Sequence, residues 1–169
     1  MQIRAANLPL LAPAIAWALD RREQKLVRRA VKRRAELGAT FIGITGSSGK
    51  STTSALLAHI LGGAGKVKGQ HGANIFKALA RTLARMPANM DYVVAECGVG
   101  RLGHMAPMAG LLRPVIAIVT LVALEHKSAF GSIEAVAAEK AEMVAALAPD
   151  GVAILNGDDP FVSAMAAMC

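Results

Sequence analysis

One stretch of the sequence, residues 46–51, holds the residue types that bind a phosphate group. It reads Gly-Ser-Ser-Gly-Lys-Ser, follows a short β-branched apolar run and precedes a helical pattern that begins at Lys50. Backbone N–H groups in a glycine-containing turn form a nest for anions, and a helix N-terminus adds its positive dipole end. Lys50 can neutralise the outer phosphates of a nucleotide, and the Ser51 hydroxyl can bind Mg²⁺. The sequence therefore predicts a phosphate-binding loop that comprises Gly46, Ser47, Ser48, Gly49, Lys50, Ser51 and Thr52.

This stretch matches only the second half of the full phosphate-loop pattern. The full pattern has a glycine six residues before the lysine, where this sequence has Ile44. The alternative interpretation is a glycine–serine loop that carries a solvated lysine.

The elements that must position this loop follow from the hydrophobic pattern after Gly38. Short apolar runs typical of buried strands cover residues 39–45, 92–95, 115–119 and 152–155. Helical patterns cover residues 50–61, 75–86 and 132–147, with Ser132 as a cap, and a last helix begins near Pro160. Apolar strands that alternate with helices predict an α/β fold, in which a parallel sheet carries helices on both faces.

Polar residues follow each of these predicted strands. They are residues 46–51, Glu96, residues 120–126 and residues 156–159. In an open parallel sheet the carboxyl ends of the strands lie along one edge, and ligands bind there. We therefore expect these four segments to converge on one crevice.

Composition narrows the class of protein. The 169 residues are 54% hydrophobic and 18% charged, which excludes intrinsic disorder and is enough for one domain with a core. Two cysteines, Cys97 and Cys169, cannot form a disulfide framework or a zinc cage by themselves. Reduced thiols predict a cytoplasmic protein.

The positive charge is concentrated at the N-terminus. Residues 1–40 hold nine of the 19 Lys and Arg residues and three of the 12 Asp and Glu residues. We divide the chain into a basic amphipathic segment, residues 1–38, and a domain that carries the phosphate-binding loop, residues 39–169. A solvated basic helix that docks its apolar side on the domain is one interpretation of residues 21–34. Contact with an anionic lipid surface or an anionic substrate is the other.

The apolar run at residues 8–19 does not predict a membrane span or a signal peptide. Its twelve residues fall short of the ~20 that cross a bilayer. The cluster of positive charges, at residues 21–34, follows this run, whereas in a signal peptide the positive charge precedes the apolar core. Aromatic residues make up only 4% of the chain, so nucleic acid is a disfavoured partner.

Four segments, in order, resemble motifs of the Mur ligase family. They are Ile44-Thr-Gly-Ser-Ser-Gly-Lys-Ser-Thr-Thr53; Ala95-Glu-Cys-Gly98; Glu125-His126 with Phe130-Gly-Ser-Ile-Glu134 and Ala138-Glu-Lys140; and Asp150-Gly-Val-Ala-Ile-Leu-Asn156 with Asp158-Asp159. The resemblance covers about residues 39–160. It implies a central ATP-binding domain of an enzyme in cell-wall biosynthesis that uses ATP to join a carboxylate to an amine through an acyl phosphate.

The resemblance also implies roles for single residues, with ATP and Mg²⁺ as cofactors. Lys50 would hold the terminal phosphates, while Ser51 and Glu96 would bind one Mg²⁺ and His126 a second. Lys140 would correspond to a carbamylated lysine, which supplies oxygen to a hard cation. The catalytic set would then be Lys50, His126 and Lys140. Asn156 would lie near the adenine, and Asn74 would match an asparagine of some relatives.

Three of these assignments have an alternative interpretation in which the residue has only an ordinary structural role. Glu96 can be a surface carboxylate at a strand end, and His126 can be a loop histidine. Lys140 can be a solvated helix lysine, because Glu139 and Glu142 suggest a mixed-charge helix.

The sequence also departs from the family at three positions. It has His104, Leu121 and Ala123 where relatives often have Asp, Asn and Gly. These departures concern the substrate more than the nucleotide. The Phe-Gly-Ser stretch favours the branch that adds D-alanyl-D-alanine. The short length before the phosphate-binding loop, 45 residues before Gly46, favours other branches.

Family members continue into further strands and a C-terminal domain. A fragment, or one half of a split enzyme that needs a missing domain or subunit, is therefore one expectation. Two other functions remain open at this point. One is a different phosphate-loop NTPase or kinase, and the other is a non-catalytic basic module at a membrane.

Overall fold

The computed structural model describes residues 20–70, 75–125 and 127–169. The helices are α1 (Arg21–Glu36), α2 (Lys50–Gly62), α3 (Phe76–Ala84), α4 (Met105–Leu112), α5 (Lys127–Phe130), α6 (Ile133–Ala145) and α7 (Pro160–Ser163), and a 3₁₀ turn covers Ala164–Met168. The strands are β1 (Thr40–Thr45), β2 (Val67–Gln70), β3 (Tyr92–Glu96), β4 (Ile116–Val119) and β5 (Val152–Leu155).

The five strands form one parallel sheet with the order β2-β3-β1-β4-β5. The chain leaves β1 toward β2 at one edge and later crosses to β4 on the other side of β1. The strand order therefore reverses between β1 and β4. In open α/β sheets, ligands bind at the carboxyl ends of the strands beside such a reversal.

The two faces of the sheet are covered unequally. The larger core joins Phe41 of β1 and Val93 of β3 to buried residues of α3, α4 and α6. The smaller core joins Ile42, Ile44 and Val94 to the apolar side of α2. On the α2 side, Val152 and Ile154 of β5 remain 53% and 50% exposed.

Local sequence signals explain where several helices begin. Ser132 caps α6 and accepts a hydrogen bond from the Ala135 N–H at 3.2 Å. Asp159 caps α7, and Pro160 occupies the first helical position, where its missing N–H costs nothing. Short polar side chains at these positions satisfy N–H groups that a helix start leaves unpaired.

The predicted fold class is confirmed as a parallel α/β sheet with helices on both faces. Four predicted strands and four predicted helices correspond to β1, β3, β4 and β5 and to α2, α3, α6 and α7. The sequence pattern did not predict β2 or α4. Val67-Lys-Gly-Gln70 is an edge strand with one large apolar residue, so it has no period to detect. Met105–Leu112 is apolar on nearly every side and has Pro107 in its first turn, so it lacks an amphipathic pattern.

Helix α1 packs on the outer side of α3 and α4. Ala30 is fully buried there, and Leu26, Val27 and Val31 pack against the larger core. The expectation that the basic segment docks a helix by its apolar side is thus confirmed for residues 21–36. The division of the chain at residue 38 stays a prediction, and residues 1–19 lie outside the described part.

Arg34, in the last turn of α1, joins this helix to the domain through three contacts. Arg34 Nε donates to the Leu112 carbonyl at 2.6 Å, and an Nη donates to the Arg113 carbonyl at 2.7 Å. Its guanidinium also lies 3.6 Å from the centre of the Phe41 ring. Burial and the nearby Arg113 charge lower the pKa of Arg34 to about 10, so the group stays charged at neutral pH. The end of α4 therefore depends on a residue from α1.

We expect Arg34→Met to destabilise the protein by about 2–4 kcal/mol. The substitution leaves two carbonyls of the α4 end without their charged donor and removes the ring contact. Urea unfolding monitored by circular dichroism measures the loss. Arg29→Met, at an exposed position of the same helix, should change stability by about 0.5 kcal/mol or less. Equal losses in the two variants would contradict this assignment.

Candidate functional site

At two positions of the loop between β1 and α2 the backbone has a positive φ, a conformation that glycine adopts more readily than other residues. Gly46 has φ of 145° and Gly49 has φ of 80°. A Cβ at Gly46 would overlap the Thr120 hydroxyl, so this position excludes any side chain. Gly49 is the N-cap of α2 and offers no side chain to cap it. The first N–H groups of α2 are therefore not blocked by a capping side chain and can bind an anion.

The segment after β4 holds this loop in place through hydrogen bonds. Ser47 N–H donates to the Leu121 carbonyl at 2.8 Å. The Ser47 hydroxyl donates to the Ala123 carbonyl at 3.0 Å and accepts from the Ala123 N–H at 2.9 Å. Thr120 Oγ1 donates to the Ser48 carbonyl at 2.5 Å. Leu121 and Ala123, two of the departures from the family pattern, contribute only backbone groups to these bonds.

Lys50 folds back over the loop. Its ammonium donates to the Gly46 carbonyl at 2.7 Å and lies 3.4 Å from the Ser47 carbonyl. The cation is thus placed beside the same backbone that forms the anion nest. Thr52 is exposed in the first turn of α2.

Ser51 and Glu96 bring two hard oxygen donors together. The Ser51 hydroxyl donates to Glu96 Oε2 at 2.9 Å, although 45 residues separate them in the chain. Glu96 is the last residue of β3 and is only 2% exposed, so it is not the exposed surface carboxylate of the alternative interpretation. Hydroxyl and carboxylate oxygens, together with phosphate oxygens, are the ligands that Mg²⁺ prefers. This pair fits a magnesium ion next to the anion nest.

The neighbouring thiol does not add a nucleophile to the site. Cys97 is fully buried beside Glu96. Burial, and then the Glu96 charge, raise the pKa of Cys97 to about 12. The thiol therefore stays protonated, and cysteine chemistry is excluded at this position.

Lys140 is buried and paired, so the interpretation as a solvated helix lysine is wrong. Its ammonium lies 2.7 Å from Glu125 Oε1, and its side chain is 1% exposed. Burial lowers the pKa of Lys140, and the Lys50 charge adds to this effect. Glu125 and Glu139 oppose it. The charge of Lys50 thus acts on the Lys140 ammonium from the neighbouring phosphate-binding loop.

Glu139, next to Lys140 on α6, holds the loop that follows β3. Its two carboxylate oxygens accept from the Gly103 N–H at 2.8 Å and the Met105 N–H at 2.6 Å. The sequence suggested a surface role for Glu139, but it is buried. Glu125 and Glu139 were both missed as site residues because neither spacing nor pattern indicates partners that lie 15 and 36 residues away.

The turn after β5 closes the site on its other side. Asn156 Nδ2 donates to the Thr120 carbonyl at 2.8 Å, and Asp159 Oδ2 accepts from the Val122 N–H at 2.7 Å. Three of the four segments expected to converge, those after β1, β4 and β5, are therefore linked through Thr120 and its neighbours. Glu96 joins them through Ser51. Asn74 and His126 lie outside the described residues.

Fold and site together define a class of protein. It is an open parallel α/β protein with an anion-binding loop, a hydroxyl–carboxylate pair and a buried lysine at the carboxyl edge of the sheet. The chain belongs to the Mur ligase family, because the model of the Mur ligase middle domain matches residues 44–169. The resemblance of the four motifs is thus confirmed.

Individual relatives agree with this family. The UDP-N-acetylmuramoyl-tripeptide–D-alanyl-D-alanine ligase of Mycobacterium tuberculosis is 39% identical over 130 residues, which are 76% of this chain and 26% of that protein. The ligase of the same description from Bacillus subtilis is 35% identical over 128 residues, 75% of this chain and 28% of that protein. The chain therefore spans about a quarter of the length of these relatives.

A solved structure shares the fold. The crystal structure of MurF from Acinetobacter baumannii superposes with a TM-score of 0.82 at 25% identity and covers 86% of this chain and 33% of that chain.

We expect Glu139→Gln to loosen the loop after β3 and to cost about 1–3 kcal/mol of stability. Glutamine keeps one acceptor but loses the charge and the second acceptor, so one buried N–H is left unpaired. Amide hydrogen exchange should report faster exchange at Gly103 and Met105. Glu142→Gln, at an exposed position of the same helix, serves as the control and should leave both amides protected. Unchanged protection in Glu139→Gln would show that the two bonds do not hold the loop.

Proposed function

We propose that this chain is the ATP-binding part of an enzyme that forms an amide bond between a carboxylate and an amine through an acyl phosphate. The convergence of the loop amides, Lys50, Ser51, Glu96 and Lys140 on one sheet edge carries this proposal. Membership of a ligase family supports the reaction class. We assign this activity to a protein of the relatives' full length. This chain corresponds to the part of that length that matches the Mur ligase middle domain.

The loop and Lys50 would bind the triphosphate. Phosphoryl transfer depends mostly on positioning and on neutralising charge that develops on the phosphate oxygens. The N–H groups at the start of α2 and the Lys50 ammonium are donors fixed before the substrate arrives, so they need little reorganisation. In this reaction an acceptor carboxylate oxygen forms a bond to the γ-phosphorus and ADP leaves. The amine then forms a bond to the acyl carbon, and phosphate leaves.

Ser51 and Glu96 would hold Mg²⁺ beside the outer phosphates, and His126 would hold a second ion. When bound, magnesium supplies positive charge to the phosphate oxygens. The buried position of Glu96 and its bond to the Ser51 hydroxyl fix both oxygens relative to the loop.

Lys140 would act as a carbamate. Because burial lowers the pKa of its ammonium, a larger fraction of the amine is neutral at a given pH than in an exposed lysine. A neutral amine attacks CO₂, its nitrogen forms a bond to carbon, and one proton is released. The product replaces a cation near the phosphates by an oxygen ligand suited to a hard metal ion.

The acceptor and the amine are proposed from the relatives. Proteins 35–39% identical to this chain are described as ligases of UDP-N-acetylmuramoyl-tripeptide and D-alanyl-D-alanine. We therefore propose the same substrate class. The exposed face of the edge strand β5, with Val152 and Ile154, is the surface on which a further domain or subunit would pack.

Removal of the Lys50 charge should abolish stabilisation by nucleotide. A ligand at 100 times its Kd adds about 2.7 kcal/mol to the stability of the folded state. This stabilisation appears as a higher Tm in a thermal shift assay with Mg²⁺ and ATP. The native chain should show the rise in Tm, and Lys50→Ala should show none. The apo Tm of the variant should stay close to that of the native chain.

The control for this experiment is Lys68→Ala, at an exposed position on β2, which should retain the full rise. A rise of equal size in Lys50→Ala would contradict the role assigned to the loop.

Carbamylation of Lys140 should depend on its partner Glu125. Burial lowers the pKa of Lys140, and the Glu125 carboxylate partly offsets this by raising it. The same negative charge would repel a carbamate on Lys140. Glu125→Gln should therefore increase the carbamate signal in ¹³C NMR with labelled bicarbonate at neutral pH. In the native chain the signal should grow as pH rises through the lowered pKa, because the neutral amine reacts.

Lys140→Arg should remove this signal, and Lys68→Arg should leave it unchanged. A signal that persists in Lys140→Arg, or one that falls in Glu125→Gln, would refute the assignment.

A further inference from the structure

Helix α1 presents a basic face that the domain does not use. We define the basic face by the six exposed residues Arg21, Arg22, Lys25, Arg28, Arg29 and Lys32. At about 100° per residue these positions fall within roughly one third of the helix circumference. The buried Ala30 lies on the opposite side, toward α3 and α4.

Each carboxylate of α1 is engaged in a contact of its own, although Glu36 lies one turn beyond Lys32 at the end of the basic face. Glu23 forms an ion pair with Lys77 of α3, and Glu36 forms one with Arg33. Asp20 caps the helix by accepting from the Arg22 and Glu23 N–H groups at 2.8 Å. The basic face is therefore a cluster of one sign of charge, which attracts an extended anionic surface.

We propose that the basic face of α1 binds the anionic surface of a lipid bilayer. The sequence immediately before α1 favours lipid over other polyanions, because residues 8–19 are apolar and include Trp17, a residue type enriched at membrane interfaces. Stable anchoring to a membrane takes two signals, and an apolar stretch beside a polybasic patch supplies both kinds. Among the residues that the structure describes, none of the helices has the length and apolar character of a bilayer span.

The position of α1 lets membrane binding and nucleotide binding proceed together. The helix lies outside α3 and α4, whereas the candidate site lies at the carboxyl edge of the sheet around the loop before α2. The basic face and the site therefore use different surfaces. A failure of one proposal does not entail failure of the other.

The test is sedimentation of the full chain with vesicles of two compositions. One is phosphatidylglycerol mixed with phosphatidylcholine, and the other is phosphatidylcholine alone. Each Lys or Arg near an anionic surface strengthens binding by about fivefold, so Lys25→Gln/Lys32→Gln should weaken binding to the anionic vesicles by about 25-fold. The matched control Lys66→Gln/Lys68→Gln removes the same charge from another exposed surface and should weaken binding by about twofold or less.

Salt and competition complete the test. Binding should fall steeply at 1 M salt, where the screening length is about 3 Å. Both double variants should keep the native circular dichroism spectrum and a Tm close to that of the native chain, which shows that they are folded. Equal loss in both variants, equal binding to the neutral vesicles, or displacement from anionic vesicles by an equal charge concentration of single-stranded RNA would overturn the proposal.

Discussion

The shape of the loop after β1 depends on the backbone of the segment after β4. Ser47 is held on both sides, through its N–H by Leu121 and through its hydroxyl by Ala123. This contact exists because β1 and β4 are neighbours at the reversal of strand order. The loop amides, Lys50 and Ser51 take their positions from it, and the turn around Asn156 is tied to the same segment through Thr120. The order of strands is therefore the constraint on which the site depends.

Helix α6 is the second support of the site, and it places two opposite charges one residue apart. Glu139 binds the loop after β3, while Lys140 pairs with Glu125 in the segment after β4. Buried charges persist only with partners, since leaving one unpaired costs several kcal/mol. The sequence could be interpreted as a solvated mixed-charge helix, because helical spacing does not reveal which carboxylate or ammonium lies under a neighbouring loop. Burial decides this question.

Helix α1 shows how one element can serve two surfaces. Its apolar side, with Ala30, and its last arginine, Arg34, complete the packing over α3 and α4. Its other side carries six exposed cations, and Glu36 at the end of that side is paired with Arg33. The helical period of basic residues was visible in the sequence, and the docking of the apolar side was predicted from it as one of two interpretations. The contacts of Arg34 were not, since they join residues 78 and 79 positions apart.

The sequence by itself determined the alternation of strands and helices, the position of the phosphate-type loop, the Ser132 cap and the family, because these signals lie within a few neighbouring residues. It did not determine the edge strand β2 or helix α4, whose residues carry no clear period. Only the tertiary structure decided that Ser51 and Glu96 bond directly to each other and which carboxylate pairs with Lys140. Such contacts join residues 45 and 15 positions apart and form only once the order of the parallel strands has brought their ends to one edge.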